Sequence, residues 1–450
     1  MNPKTQPPWR TFLAFLGPLM LANVLQSLSG TINNIYLGQM VGVDALAAAS
    51  GFFPIVFFFI SFVMGLGSGS SVLIGQAWGA KNEDKVQAVA GATLTMALII
   101  AVVIGGLGLI FARPVMVLLA TPPNILEAAI GYARVMMIGM PFLFVFILST
   151  SMMRGVGDTV TPLKTLVLTT LMGLILTPAL IKGWLGLPPM GVEAAAWASL
   201  VSQGVAVVWL AFHLLRKKHA LAPTPKFIQH MRPDPAIIRQ VLRIGLPTAV
   251  QMVIMSVAEI VLLGLANGYG AHATAAYGAV NQVLAYVQFP AMSISITASI
   301  LGAHAIGAGD LHRINSITRT GLLMNVCITG GGVVLVYLFS RAIVSAFIRD
   351  PMVVDLTEGL LHIVLWSTVF FGMAGVFGAM MRASGTVIAP TALMITAILA
   401  VEVPVAWYLS KTIGIEGVWW GYPAAFCAMF ILQASYYLLV WRKKAIVRLV

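Results

Sequence analysis

Twelve apolar runs, approximately 12–37, 49–77, 88–112, 130–153, 162–183, 192–215, 241–267, 274–305, 317–341, 360–381, 388–411 and 416–441, fill most of this 450-residue chain. Each is long enough to cross a hydrocarbon core of about 30 Å as an α-helix, which takes roughly 20 residues. Without water in that core, a helix must satisfy its own backbone polar groups, and the period-two alternation of barrel strands is absent. Charged residues make up 9% of the chain and gather in short clusters between the runs, whereas soluble domains carry about 25%. The expected fold is an all-α integral membrane protein with twelve transmembrane helices.

The basic residues give an orientation. With the N-terminus in the cytoplasm and one crossing per run, twenty of the 26 Lys and Arg, from Lys4 and Arg10 to Lys444 and Arg448, lie on the cytoplasmic side. Arg113, Arg134, Lys182, Arg341, Arg349 and Lys411 lie outside. This asymmetry follows the positive-inside rule and places both termini in the cytoplasm. The net charge of +12 is then a topology signal, and nucleic acid is not an expected partner. The first run is too long for a signal peptide and has eleven others after it, so it reads as the first helix. Cys327 and Cys427 sit in separate runs without CxxC or Cys/His spacing, so neither a metal site nor a disulfide framework is expected.

The chain also repeats itself. MMRGVGDTVTP (152–162) returns as MMRASGTVIAP (380–390), 228 residues later. At the same offset Gly79-Ala80 pairs with Gly307-Ala308, Lys85 with Arg313, and Gly42, Ala45 and Ala47 with Gly270, Ala273 and Ala275. Four segments in one register imply two homologous halves of six helices. Six crossings return the chain to its starting side, so the halves are parallel repeats related by an axis along the membrane normal. Small residues recur every fourth position at Gly67, Ser71, Gly75 and Gly79, and again at Ser295, Ser299, Ala303 and Gly307. Such ladders let helix backbones approach closely.

The longest polar segment, 216–240, is rich in Pro and base and suits a cytoplasmic linker. The expected organisation is a six-helix lobe over 1–215, the linker over 216–240 and a second six-helix lobe over 241–450. Two such lobes suit a transporter with its site at their interface, working by alternating access. The stretch NGYGA (267–271) is a poor channel filter: it lacks the preceding Thr-Val and occurs once.

Of the fourteen acidic residues, only Glu259 and Glu402 fall well inside apolar runs. An ionised carboxylate in the membrane is costly, so such a residue is functional by default. On a helical wheel Gln251, Met252, Met255, Ser256 and Glu259 share one face, with branched aliphatic residues mostly opposite. Glu259 lies about 12 Å below the outer end of its helix, facing a cavity and away from lipid; the alternative is a buried, protonated hydrogen-bonding residue with no transport role. Glu402 sits at similar depth, and Pro404 after it leaves a backbone carbonyl free for an ion or partner; a structural helix-to-helix hydrogen bond is an equal reading. In the first half, Asn33, Asn34 and Tyr36 occupy the outer part of the first helix. The two asparagine amides either bond across helices or line a cavity, and amides alone cannot bind or release a proton. A buried carboxylate that binds either a small cation or a cationic substrate, never both well, would let an inward gradient drive export. The 24 Met residues suit an adaptable apolar cavity.

The ordered set LGPLMLANVLQSLSGTINNIYLGQMVGVDALAA (16–48), GQAWGAKNEDK (75–85), MMRGVGDTVTP (152–162), IGLPTAVQ (244–251) and MMRASGTVIAP (380–390) resembles the multidrug and toxic compound extrusion (MATE) antiporters of the multidrug/oligosaccharidyl-lipid/polysaccharide exporter superfamily. The resemblance covers essentially the whole chain. It implies two six-helix lobes forming a V-shaped cavity and export of organic cations or other amphipathic compounds in exchange for H+ or Na+. The first-helix Asp of many bacterial relatives falls on Asn33 here, so its ion-binding role does not transfer. The seventh-helix acid of relatives falls near Met255, one turn before Glu259, and the tenth-helix acid has no counterpart in 365–382. Coupling has then either moved to Glu259 and Glu402 or weakened.

The expectation is a cation-coupled multidrug exporter, with a flippase or exporter of a lipid-linked or polar head group as the alternative. A flippase should line its cavity with several basic residues, and none lies deep in the first, second, seventh or eighth helices. No catalytic constellation marks an enzyme. The expected site comprises Glu259, Glu402, Asn33, Asn34, Tyr36, Gln251, Met255 and Ser256, with no cofactor beyond the coupling ion. The expected partners are the lipid bilayer and a small organic cation or amphipathic compound, for a monomer in the plasma membrane, that is, a bacterial inner membrane.

Overall fold

The computed structural model describes residues 7–450, so Lys4 lies outside the described residues. Every regular element among them is helical. Eleven helices are long and apolar enough to cross a membrane: α1 (Pro8–Val41), α2 (Val43–Gly79) and α3 (Glu83–Leu118) before a bent pair, then α5 (Val160–Lys182), α6 (Glu193–Arg216), α7 (Pro235–Asn267), α8 (Ala271–Ala308), α9 (His312–Leu338), α10 (Pro351–Ala383), α11 (Ile388–Ile413) and α12 (Ile415–Lys443). The bent pair, α4, joins Leu126–Ile138 to Met140–Gly155 at 49° and makes a twelfth crossing when taken as one span. Each apolar run of the sequence corresponds to one of these elements.

The repeat is visible in the element boundaries. Helix α2 begins at Val43 and α8 at Ala271; the second arm of α4, Met140–Gly155, answers to Thr368–Ala383 in α10; α5 begins at Val160 and α11 at Ile388. All these pairs are 228 residues apart. The duplicated MMR turn closes in the same way twice. Gly157 N–H donates to Arg154 O at 2.9 Å, and Gly385 N–H donates to Arg382 O at 2.8 Å. Both glycines hold positive φ, 88° and 82°, which side chains with a Cβ rarely adopt. That requirement explains why glycine recurs there.

The chain divides into two compact units, Leu21–Ala249 on the one hand and Val250–Val450 with the chain up to Met20 on the other. Both divisions cut through a helix, α1 and α7. In the first unit the small-residue ladder of α2 packs against α4. A Cβ on Gly67 would lie 2.6 Å from Ser151 Oγ, and one on Gly155 would lie 2.9 Å from Ser71 O. The first part of α7 lies on α2 in the same unit, with Gly65 against Gly245. The basic segment 216–240 belongs to this unit too.

In the second unit the core joins Leu262 and Ala266 of α7, Val280 and Leu284 of α8, Leu361 and Leu365 of α10, and Trp419 and Phe426 of α12. Phe12 and Leu16 of α1 pack there against Ile294, Ile317 and Val376. Large apolar side chains such as Ile110, Val208, Leu335 and Leu338 stay exposed, as suits helices whose outer solvent is hydrocarbon. Between helices, close packing and hydrogen bonds then supply the cohesion. Asn325 illustrates this: it is fully buried, donates to Val369 O at 2.9 Å and accepts from Thr329 Oγ1 at 2.9 Å.

Candidate functional site

A cavity of about 250 Å³ lies within the second unit. Its polar lining is Glu259 from α7, Asn281 and Gln288 from α8, Glu402 from α11 and Tyr422 from α12. Met255, Phe371, Phe426 and Met429 are among its apolar walls, and no Lys, Arg or His lines it among the described residues.

Local sequence explains how these groups converge. Asn281, Leu284, Ala285 and Gln288 follow the three- and four-residue spacing of one helix face, so α8 turns a polar stripe towards the cavity. Helix α11 contains a π turn over Ala397–Glu402, followed directly by the segment carrying Pro404. Proline offers no N–H to a regular α turn, and the wider turn accommodates that loss while aiming Glu402 inward. Such π bulges concentrate at functional sites. After α11 the chain reverses at Gly414 (φ 83°), and a Cβ on Gly417 would collide with the backbone of Leu409. This tight return brings Trp419 and Tyr422 up to the cavity.

Glu259 is half-buried and heavily bonded. Its Oε2 accepts from Tyr277 Oη at 2.6 Å, from Tyr422 Oη at 2.9 Å and from Asn281 Nδ2 at 3.4 Å. Tyr277 Oη also lies 3.0 Å from the Glu259 carbonyl oxygen and 3.3 Å from Tyr422 Oη. Trp419, wholly buried, sits against both rings, 5.1 Å from Tyr277 and 5.6 Å from Tyr422 between centroids. Glu402 differs: it is 5% exposed, lines the same cavity and has no side-chain hydrogen bond among the described residues. Two carboxyl groups, one held by donors and one bare, thus share one small chamber. No group of three or more His, Cys, Asp or Glu that could hold a metal occurs among the described residues.

The other expected site residues are distributed as follows. Met255 lines the cavity. Gln251 is buried, with Nε2 3.1 Å from Met394 Sδ and Oε1 unpartnered. Ser256 is half-buried and is not part of the lining. Asn33, Asn34 and Tyr36 belong to the first unit. There Asn33 Oδ1 accepts from Thr177 Oγ1 at 3.3 Å, Tyr36 Oη donates to Leu174 O at 3.2 Å, and Asn34 is exposed. Sequence reasoning missed Tyr277, Asn281, Gln288 and Tyr422. The spacing of Tyr277, Asn281 and Gln288 along one helix face was the available signal.

A second, larger pocket of about 730 Å³ lies in the first unit, bordered by Trp78, Glu83, Gln87, Asp158 and His219. Asp158 caps α5, accepting from Thr161 N–H at 3.0 Å, and its Oδ2 lies 3.5 Å from His219 Nε2. His219 Nδ1 accepts from Leu221 N–H, so the proton of a neutral imidazole is on Nε2, facing the carboxylate. Burial alone would push the Asp158 carboxyl up, but the hydrogen bonds from His219 and Thr161 outweigh it and hold the group at about 2.

Comparison with known proteins finds relatives along the whole length of the chain. The MatE family model matches residues 18–179 and 247–408, one copy in each half of the repeat. A protein of Bacillus subtilis named as a probable multidrug resistance protein, YoeA, is 43% identical over 98% of this chain and 96% of its own length. The multidrug export protein MepA of Staphylococcus haemolyticus is 24% identical over 95% and 93%. Among solved structures, a MATE protein crystallised in complex with MaL6 superposes with a TM-score of 0.89 at 22% identity, covering 97% of this chain and 98% of that one.

Proposed function

Because this chain belongs to the MatE family, the multidrug and toxic compound extrusion transporters, we propose that it exports amphipathic, often cationic organic compounds in exchange for H+ or Na+. The family consists of multi-pass membrane transporters and not of enzymes, and its relatives named for multidrug resistance and export support the drug-export reading. The protein works as a monomer in a plasma membrane, with both termini in the cytoplasm, and needs no cofactor beyond its coupling ion.

One observation carries the coupling: among the described residues, the cavity of the second unit holds Glu259 and Glu402 and no basic side chain. Two carboxyl groups that share one chamber repel each other when both are charged, and cations relieve that repulsion. A small inorganic cation and a cationic substrate therefore compete for the same acids. Alternating access turns this competition into exchange: the inward gradient loads the acids from outside, and the substrate is displaced there. Met255, Met429, Phe371 and Phe426 offer an apolar, repackable wall for a greasy substrate. The flippase alternative is disfavoured, since an anionic head group would meet two acids.

The test is reconstitution in liposomes with ethidium as the transported cation, imposing a proton gradient and a sodium gradient separately. At least one gradient should accelerate ethidium movement. Movement indifferent to both contradicts coupling.

A further inference from the structure

We propose that Tyr277 and Tyr422 are positioning residues for coupling: their hydroxyls clamp one oxygen of Glu259 and compete with the coupling cation for it. The inference rests on the reading of Glu259 and Glu402 as the coupling acids, and it adds what sets their affinity.

Both hydroxyls reach the same atom, Oε2, at 2.6 and 2.9 Å, with Asn281 Nδ2 at the margin. Hydrogen bonds to a charged acceptor are short and about twice as strong as neutral ones. The clamp favours the empty state of Glu259, and it leaves Oε1 and the carboxyl of Glu402, neither hydrogen-bonded among the described residues, to receive a cation. A cation that engages Glu259 fully must draw Oε2 away from at least one hydroxyl. That cost weakens binding and speeds release, which an exchanger needs at every turnover.

The placement of the tyrosines argues for this role and against simple filling of space. Trp419 stacks on the Tyr422 ring and packs at a tilt against the Tyr277 ring, so aromatic contacts hold both rings beside the carboxylate. At the repeat offset of 228 residues the first half has Ala49 for Tyr277, Ala194 for Tyr422, Phe53 for Asn281, Thr31 for Glu259 and Leu174 for Glu402. At the two tyrosine positions the half without the acid has alanine. Both tyrosines occur where the acid does.

The experiment uses the full chain in liposomes, comparing the wild type with Tyr277→Phe, Tyr422→Phe and the double variant. Phenylalanine keeps the ring against Trp419 and deletes only the hydroxyl. Loss of one bond to a charged group corresponds to roughly tenfold in affinity. Each single variant should show a half-saturating concentration of the driving cation about tenfold lower, with a reduced maximal rate from slower release; the double variant should show more of both. A purely structural role would lower the maximal rate and leave the half-saturating concentration unchanged, and that result overturns the proposal. If one single variant fails to fold, the other decides by the same criterion. A wild type indifferent to both gradients refutes coupling itself, and is recognisable before any variant is compared.

Discussion

Gly65 and Gly245 meet so closely that a Cβ added to either would lie 2.5 Å from the other's carbonyl oxygen. This contact seats the first part of α7 on α2, inside the unit Leu21–Ala249. Glycine is required there by proximity: a bulkier residue would have to push two backbones apart.

Gly245→Val should therefore destabilise the protein by about 1–3 kcal/mol, the usual cost of overpacking a tight contact. Gly264, whose added Cβ would meet nothing within 4 Å, is the control, and Gly264→Ala should be neutral or mildly stabilising. Thermal unfolding in detergent checks both. Equal melting temperatures for wild type and Gly245→Val would contradict the close approach.

Asp158 offers a pH-dependent contribution. Its folded value of about 2 lies below the ordinary 3.8, so its stabilisation is fully present above 3.8 and is lost as pH falls through 2. The difference corresponds to roughly 2 kcal/mol. Asp158→Ala should be less stable than wild type near neutrality, by about that amount plus the lost cap. The charge-dependent part of the gap should close between pH 4 and pH 2 in unfolding experiments run across that range.

Asn33 of α1 is a neutral amide whose Oδ1 accepts from Thr177 Oγ1 at 3.3 Å. A neutral amide does not exchange a proton at ordinary pH. Asn33→Ala should retain gradient-driven export with a half-saturating cation concentration within about twofold of wild type, a change worth less than half of a 1.4 kcal/mol decade. Measuring that concentration in liposomes checks the claim.

Glu402 is the barer acid of the pair, buried and without a side-chain hydrogen bond among the described residues. Glu402→Gln removes one of the two carboxyl groups able to hold a cation in this chamber. The half-saturating concentration should rise by about tenfold or more, since even about 1.4 kcal/mol of attraction is worth that factor. Cation titration of transport by this variant is the measurement.

Much of the fold is written plainly in the sequence, because a bilayer leaves few options for the backbone. Run length specifies the crossings, and the recurrence of Gly157 at Gly385 marks the duplicated turn. Glu259 and Glu402 stand out for a related reason: charge in an apolar run has no bland explanation. Tyr277 is marked only by sharing a helix face with Asn281 and Gln288, and Tyr422 does not stand out, since no local pattern says that residue 422 meets residue 259. The division of α1 and α7 between the two units is likewise invisible, as Met20, Leu21, Ala249 and Val250 lie inside uniform apolar stretches. Only tertiary packing tells them apart.

The most direct test of the central claim compares ethidium movement by wild type and Glu259→Gln in liposomes, with and without the gradient that drives the wild type. The account predicts that the variant still exchanges ethidium at equilibrium but no longer responds to the gradient. Gradient-driven accumulation at the wild-type level in Glu259→Gln would contradict it.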